Sequence, residues 1–550
     1  MRARLGLLHL LGTAASVSAF RLIDRRDPAL AAAGDTYIAA VGQTIFSDGG
    51  AKGGCCPSVP GEGAEAATGA CPGAEPLGHL PPCQGAPAQA MNETKMGNMA
   101  NFERMMEAAA AKGAQIIVFS EGALGIADGK YKSGGKMVDD GGGVAGGLLA
   151  EPIPEPLGAA SPIVPCEFTG AEAAAAPALV AASCAAKKHS IHVVYDTGDA
   201  ITCAPKDPYN SSEYCYQCPP EGVMRFNTQV AIGDDGTLLA KYHKTHRYLA
   251  GHCKGDGYQN PGGEDPRWFD TSFGVRFGMM LCFDICFHTP GIELAVGEHQ
   301  ISDFVFSTHW ENEEGPPMSL ATSFFQSWSR GVGVNLLAAN EGMGLMHTGS
   351  GIFSQGDALA SAWEPANPHD EALLIATVPK LHGKSKPMYA GGKPAEPWGS
   401  GPLSPNGPVF TLIANVTANG KDYSATVSDA KQPDITHPFS CSVNFTTTAT
   451  SSDAPLETEQ YALVGVNGSW ISSHSGGLPA RGCALYRIPA SSITAAGGIA
   501  KWKPWSVDGG APLYRTPLNT TVPADLGGSV SFQALAIVRL SPSDSGLCSA

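Results

Sequence analysis

The sequence predicts an α/β fold followed by a β-rich C-terminal part, and three observations predict it. Residues 35–46 and 115–120 are apolar runs of strand length, and between them 92–113 has the spacing of a helix. Further strand-like runs at 192–195, 230–232, 304–307 and 335–339 are joined by a helical stretch at 320–331. Beyond a Pro- and Gly-rich stretch at 384–408, the apolar runs are short, rich in β-branched and aromatic residues, and separated by Gly, Pro and Asn turns.

Taken in order, the helix at 92–113 is marked by Met99, Phe102, Met106 and Ala109 on one face, and Gly113 supplies a stop. Strand, helix, strand with chemistry at a strand end is the logic of α/β proteins. Residues 47–90 interrupt that unit with a Gly-, Pro- and Ala-rich stretch carrying Cys55, Cys56, Cys71 and Cys83. Such a composition buries no core, so it is expected to be a disulfide-pinned surface excursion. A Gly-rich loop at 139–147 is a candidate pocket rim. The α/β part is expected to span 35–385 and the β-rich part 386–550, with strands at 409–416, 440–446, 461–466, 483–488 and 530–540. The last of these carries Arg539 and is followed by polar residues, so it is expected to be a strand and not the tail of a lipid-anchor signal.

The densest chemical signal is FGVRFGMMLCFDICFHTP at 273–290, a strand-like run ending in Cys282. Two partners of the right type close apolar runs upstream: Glu121 after QIIVFS and Lys244 in LLAKYHK. A thiol near neutral pH is mostly protonated, so a cysteine nucleophile needs a base for its proton and a cation to favour the thiolate. Glu121 and Lys244 supply both, and the N–H of Phe283 is placed to assist the lysine at an oxyanion. Lys241 competes with Lys244, and one of the two is expected to face solvent. Cys286 competes with Cys282, but only position 282 is delivered to the turn by the run 275–281. Asp284 is expected to fix that turn through local hydrogen bonds.

In this chain order the three segments resemble the nitrilase, or carbon–nitrogen hydrolase, superfamily, whose catalytic residues are Glu, Lys and Cys. TYIAAV at 36, CPPEG at 218, YHK at 242, CFDI at 282, GVGVNLLAAN at 331 and TGSGI at 348 are similar to its vanin and biotinidase branch. YAL at 461 and CALY at 483 resemble the extra C-terminal domain of that branch. The resemblance implies a four-layer αββα sandwich with the site at the strand ends and an additional C-terminal all-β domain. It also implies Glu121 as general base and acid, Lys244 as oxyanion stabiliser and Cys282 as nucleophile. Trp310, Glu311 and Asn312 stand where the family keeps a Trp lining the site, and His288 lies just past Cys282; Trp310 as plain core packing is an equal reading. YHK favours Lys244 over Lys241. The chain departs from the pattern after the lysine, where THRYLAGHC at 245–253 has no carboxylate before Asp256 and so offers no obvious helper acid.

Composition restricts the class. A formal charge of −16 with no basic patch argues against nucleic acid or an anionic membrane surface as partner. MRAR followed by a short apolar run and a small-residue site predicts a signal peptide cleaved after Ala19, since the run is far below the roughly 20 residues needed to span a bilayer. A secreted chain without a transmembrane segment is expected. Setting aside a nucleophile leaves an even number of the 15 cysteines for pairing, although Cys184 lies in an apolar helix-like run that would equally keep it reduced. Cys215 and Cys218 have the spacing of a redox or zinc pair but lack a second pair, so structural bridges, one involving Cys203 and Cys218, are the better reading and no metal is implied. Sequons at Asn92, Asn210, Asn415, Asn444, Asn467 and Asn519 are expected on glycan-bearing surface loops. TGSG at 348 lacks the rest of a phosphate loop and is expected to be a tight turn.

The implied chemistry is hydrolysis of a linear secondary amide through a Cys thioester, with no cofactor and a small-molecule amide as the partner. Within the resembled branch the expectation is pantetheine, with biocytin as the alternative and another secreted amidase or nitrilase beyond that. A secreted, non-catalytic binding glycoprotein on the same scaffold is the rival from another class. The oligomeric state is left open.

Overall fold

The computed structural model describes residues 20–45, 88–122, 124, 130–133, 136–139, 150–158, 160–204, 218, 222–246, 266–310, 312, 321–342, 347–364 and 370–383. Beyond these it describes the strands between 409 and 540 as backbone. The segment 1–19, most of the stretch 47–90, the loop after Asp139 and the Pro/Gly stretch 384–408 lie outside the described residues.

Two sheets carry the architecture. The first has seven strands in the order Arg21–Arg25, Ala372–Pro379, Thr36–Gln43, Ile116–Phe119, His192–Thr202, Val223–Ile232, Leu238–His243. The second has six, ordered Asp357–Ala362, Ser350–Ser354, Asn335–Ala339, Asp303–Ser307, Arg276–Leu281, Trp268–Asp270. Parallel pairs occupy the middle of each: Thr36–Gln43 with Ile116–Phe119 and then His192–Thr202, and Arg276–Leu281 with Asp303–Ser307 and then Asn335–Ala339. Strands buried on both faces need continuous apolar runs, and IIVF and the buried FGMML of the nucleophile strand have them.

The sheets face each other through a core of Ala39, Val41, Ile116, Val118, Val194 and Tyr242 from one, and Phe277, Met279, Leu281, Val305, Leu337 and Ile352 from the other. On the outer side of the first sheet pack the helices Ala88–Ala111 and Pro177–His189. The stripe expected from spacing is the one buried: Met99, Phe102, Met106 and Ala109 are all at most 2% exposed. The ring of Phe102 stacks on Phe119 at 3.9 Å with the planes 3° apart. Full burial of such a side chain is worth about 1.5–3 kcal/mol. Helix Ala321–Val332 covers the outer side of the second sheet with Phe324, Phe325, Trp328 and Val332. Helix, sheet, sheet, helix is the αββα sandwich.

The described strands after residue 409 form an antiparallel four-stranded sheet and an antiparallel three-stranded sheet, matching the expected all-β composition.

Several boundaries differ from expectation. The first sheet begins before residue 35, because Arg21–Arg25 pairs in parallel with Ala372–Pro379 from the far end of the same unit. The helix begins at Ala88, inside the stretch expected to end at 90. The segment at 348–351 is not simply a turn: Gly349 takes φ +116° and Ser350–Ser354 continues as a strand. The run at 530–540 is two strands in different sheets, Gly528–Phe532 and Arg539–Leu540. The strand Asn419–Ser428 was not expected, since NGKDYSATVS is mostly polar.

Cys184 is not a free thiol; it pairs with Cys166, and Cys203 pairs with Cys218 as expected. Of the sequons, Asn92 lies in a helix and Asn415, Asn444 and Asn467 lie in strands, so they are not loop residues, while Asn210 and Asn519 lie outside the described residues. Cys215 also lies outside them. Among the described residues, no helix is long and apolar enough to cross a membrane.

Candidate active site

The strand ends of the two sheets bring Glu121, Lys244 and Cys282 together. Glu121 follows Ile116–Phe119 directly, Lys244 follows Leu238–His243, and Cys282 follows Arg276–Leu281. Each run is buried and extended, so its last residues are fixed by the ladder and the functional side chain sits at a defined exit.

Glu121 is 1% exposed and fully engaged. Its Oε1 accepts from Lys244 Nζ at 2.6 Å and from Asn227 Nδ2 at 2.8 Å, and its Oε2 accepts from the backbone N–H of His309 at 3.0 Å. Burial works against the carboxylate's charge, but the Lys244 ammonium outweighs it and holds the pKa below the usual value. Burial likewise opposes the ammonium of Lys244, and the negative charge of Glu121 more than restores it, keeping the lysine firmly protonated.

Cys282 adopts φ +41°, a left-handed backbone that a non-glycine residue takes only when its surroundings impose it. Asp284 imposes it. Its Oδ2 accepts from the N–H of Leu281 at 3.0 Å and from the hydroxyl of Tyr242 at 2.9 Å, and its Oδ1 accepts from the N–H of His246 at 2.8 Å. The expected local turn bond is therefore present, and the same carboxylate also ties the cysteine turn to the lysine strand. Cys282 Sγ donates to the carbonyl of His309 at 3.5 Å. Burial and then the Glu121 carboxylate push the thiol up, with Lys244 pulling partly the other way. The arrangement is a carboxylate–ammonium pair beside a thiol whose charged form burial disfavours.

The competing residues separate clearly. Lys241 does not face solvent: it is 6% exposed, donating to Asp199 Oδ2 and to the carbonyl of Ile153, both at 2.8 Å. Its strand is covered on both faces, so alternation along it leads to a second buried ion pair. Cys286 is also buried, and burial raises its pKa well above the usual thiol value.

Of the expected pocket residues, Trp310 is 3% exposed and stacks on Phe324 with centroids 5.0 Å apart, within the same apolar cluster as Cys282. Asn312 donates to the carbonyl of Thr348 and accepts from the N–H of Ala321, both at 2.8 Å, so its amide anchors the start of the covering helix. Glu311 and the side chain of His288 lie outside the described residues. Phe283 is the second residue of the short helical turn Cys282–Cys286.

Three neighbours carried no sequence signal. Asn227 reaches Glu121 from the strand preceding the lysine strand. His309 meets Glu121 and Cys282 through its backbone, which any residue type supplies. Asp196, in strand His192–Thr202, is 1% exposed and accepts from the N–H of Gly122 at 2.8 Å. Burial and the adjacent Glu121 carboxylate push its pKa well up. An acid beside the glutamate thus exists, but it comes from upstream of the lysine.

A carbon–nitrogen hydrolase family model matches residues 82–301, which include all three residues. The chain is 38% identical over 173 residues to a pantetheine hydrolase, VNN2, of Homo sapiens, covering 31% of this chain and 30% of that one. It is 35% identical over 193 residues to a pantetheinase of Bos taurus, covering 35% of each. It is also 30% identical over 285 residues to a biotinidase of Takifugu rubripes, covering 52% of this chain and 51% of that one. The matched stretch thus spans about a third of the pantetheinases' length and about half of the biotinidase's. The stretch 82–301, with two facing sheets between helices and a Glu, Lys and Cys converging at the strand ends, matches the carbon–nitrogen hydrolase, or nitrilase, family, and the chain is similar to the vanin and biotinidase branch of that superfamily.

Proposed function

We propose that the protein hydrolyses a linear secondary amide through a thioester on Cys282, with pantetheine as substrate and pantothenate and cysteamine as products. The observation that carries the reading is the 2.6 Å contact of Lys244 with Glu121 beside a buried thiol held at a left-handed turn. A carboxylate and an ammonium packed against a surface thiol would be screened and of little consequence; buried at strand ends, they act strongly on that thiol.

In the proposed reaction Glu121 takes the Cys282 proton as sulfur attacks the amide carbonyl, forming the C–S bond. The Lys244 ammonium and the N–H of Phe283 stabilise the resulting oxyanion. Glu121 then gives its proton to the amide nitrogen as the C–N bond breaks and the amine leaves. A water loses a proton to Glu121 as its oxygen attacks the thioester; the acid departs and the proton returns to sulfur.

Trp310, Glu311, Asn312 and His288 are the proposed surroundings of the acyl group. Passage through an oxidising compartment is part of the proposal, supported by the two bridges Cys166–Cys184 and Cys203–Cys218. With it come the signal segment 1–19, glycans on the sequons, and a catalytic unit followed by a separate β-rich domain.

The test is release of cysteamine thiol and pantothenate from pantetheine by the purified chain, alongside biocytin and the Cys282→Ala variant. Cys282-dependent turnover of pantetheine is expected. Turnover of biocytin alone moves the substrate to the biotinyl amide, and turnover of neither by folded protein overturns the reading.

A further inference from the structure

We propose that His309, Glu341 and His347 form a site for a divalent transition-metal ion of the zinc class, beside the Glu121 and Cys282 pair. The three residues come from consecutive strands of one sheet. His309 follows Asp303–Ser307, Glu341 follows Asn335–Ala339, and His347 precedes Ser350–Ser354. Asn335–Ala339 lies between the other two strands, parallel to one and antiparallel to the next, so all three residues fall at the same sheet end. The bridge between Thr44 and Glu341 pins the middle residue to the neighbouring sheet.

One ligand atom from each residue lies within 4.8 Å of the others. His309 Nδ1 is hydrogen-bonded to Glu341 Oε1, and the two imidazole rings lie 4.1 Å apart, tilted by 44°. Two imidazole nitrogens and one carboxylate oxygen are the donor set of a three-ligand zinc site that leaves a position open for water. Magnesium and calcium prefer all-oxygen shells, so the donor chemistry selects a borderline ion. Glu341 is fully buried and His347 is 6% exposed, while the His309 side chain is 33% exposed and gives the ion a way in. On binding, the ion replaces the hydrogen bond between His309 and Glu341: a protonated His309 releases its Nδ1 proton to solvent, and a neutral one ligates through Nδ1 as its Nε2–H tautomer.

The site is tied to the catalytic pair by His309 itself, whose N–H holds Glu121 and whose carbonyl accepts from Cys282. None of this was visible in the sequence, where the three residues stand on separate segments without metal-ligand spacing.

The test uses the full chain without an affinity tag and carrying Cys282→Ala, so that the reactive thiol cannot ligate. After removal of bound metals, Zn2+ alone is titrated in by calorimetry. One saturable Zn2+ per chain is expected, with affinity weakened at least about tenfold in both His347→Ala and Glu341→Gln. X-ray absorption of the loaded parent, which needs no further variant, should show two imidazoles and no sulfur. Absence of saturable binding, unchanged affinity in both folded variants, or a sulfur ligand would overturn the proposal and leave a hydrogen-bonded polar cluster.

Discussion

Gly122 donates its backbone N–H to Asp196 Oδ1 at 2.8 Å, placing a second buried carboxyl directly behind Glu121. Burial and the charge of Glu121 push the Asp196 pKa well above the ordinary aspartate value, so it stays protonated where an unfolded aspartate is ionised. The folded state then holds more protons than the unfolded one, and this group's contribution to stability falls as pH rises above the unfolded aspartate value. Asp196→Asn keeps an acceptor for Gly122 and removes the titration. The melting temperature of the variant relative to wild type should therefore rise by at least about 2 °C between about pH 5 and pH 8. A constant or falling difference would contradict a neutral Asp196.

Gly122 itself sits at φ +92°. An added Cβ makes that conformation costly, by about 1–3 kcal/mol. Gly122→Ala should lower both stability and turnover, because the strained residue adjoins Glu121. Thermal melting and kcat measured on the same preparation check it, and an unaffected kcat would show that Glu121 does not depend on this turn.

Lys241 and Lys244 should differ in what their loss does to turnover. Lys241→Met leaves Asp199 buried with a lost cation and should cost about 3–5 kcal/mol of stability, read by denaturant unfolding. Lys244→Met leaves Glu121 buried without its cation, so it should cost stability on the same scale and in addition reduce kcat by at least about 100-fold, the order seen when an oxyanion donor is removed. A Lys244 variant with near-normal kcat would exclude that role.

Asp284→Asn should slow turnover without touching a reacting atom. The substitution replaces a charged acceptor for Leu281, Tyr242 and His246 and loosens the left-handed turn at Cys282. A slower kcat together with slower alkylation of Cys282 is expected. An unchanged alkylation rate would place the importance of Asp284 elsewhere.

The three principal residues were legible because each closes a buried apolar run, and a run of strand length states where it ends. The sandwich was legible through the family resemblance, whereas periodicity alone gave only α/β. What stayed hidden is what pairs across long stretches of chain. Asn227 meets Glu121 across 106 residues and His309 meets it across 188, the latter through backbone atoms that carry no residue signature. Lys241 was misjudged because period-two alternation points one residue outward only when a face is wet, and here both faces are covered. Arg21–Arg25 was missed because its few mixed residues become a strand only by pairing with Ala372–Pro379.

The most direct test of the account is to quench the wild-type protein with acid during turnover of pantetheine and map the digest by mass spectrometry. A pantothenoyl adduct on the peptide carrying Cys282, absent from Cys282→Ala, is the result predicted. Turnover with no adduct on Cys282, or with the adduct on Cys286, would contradict it.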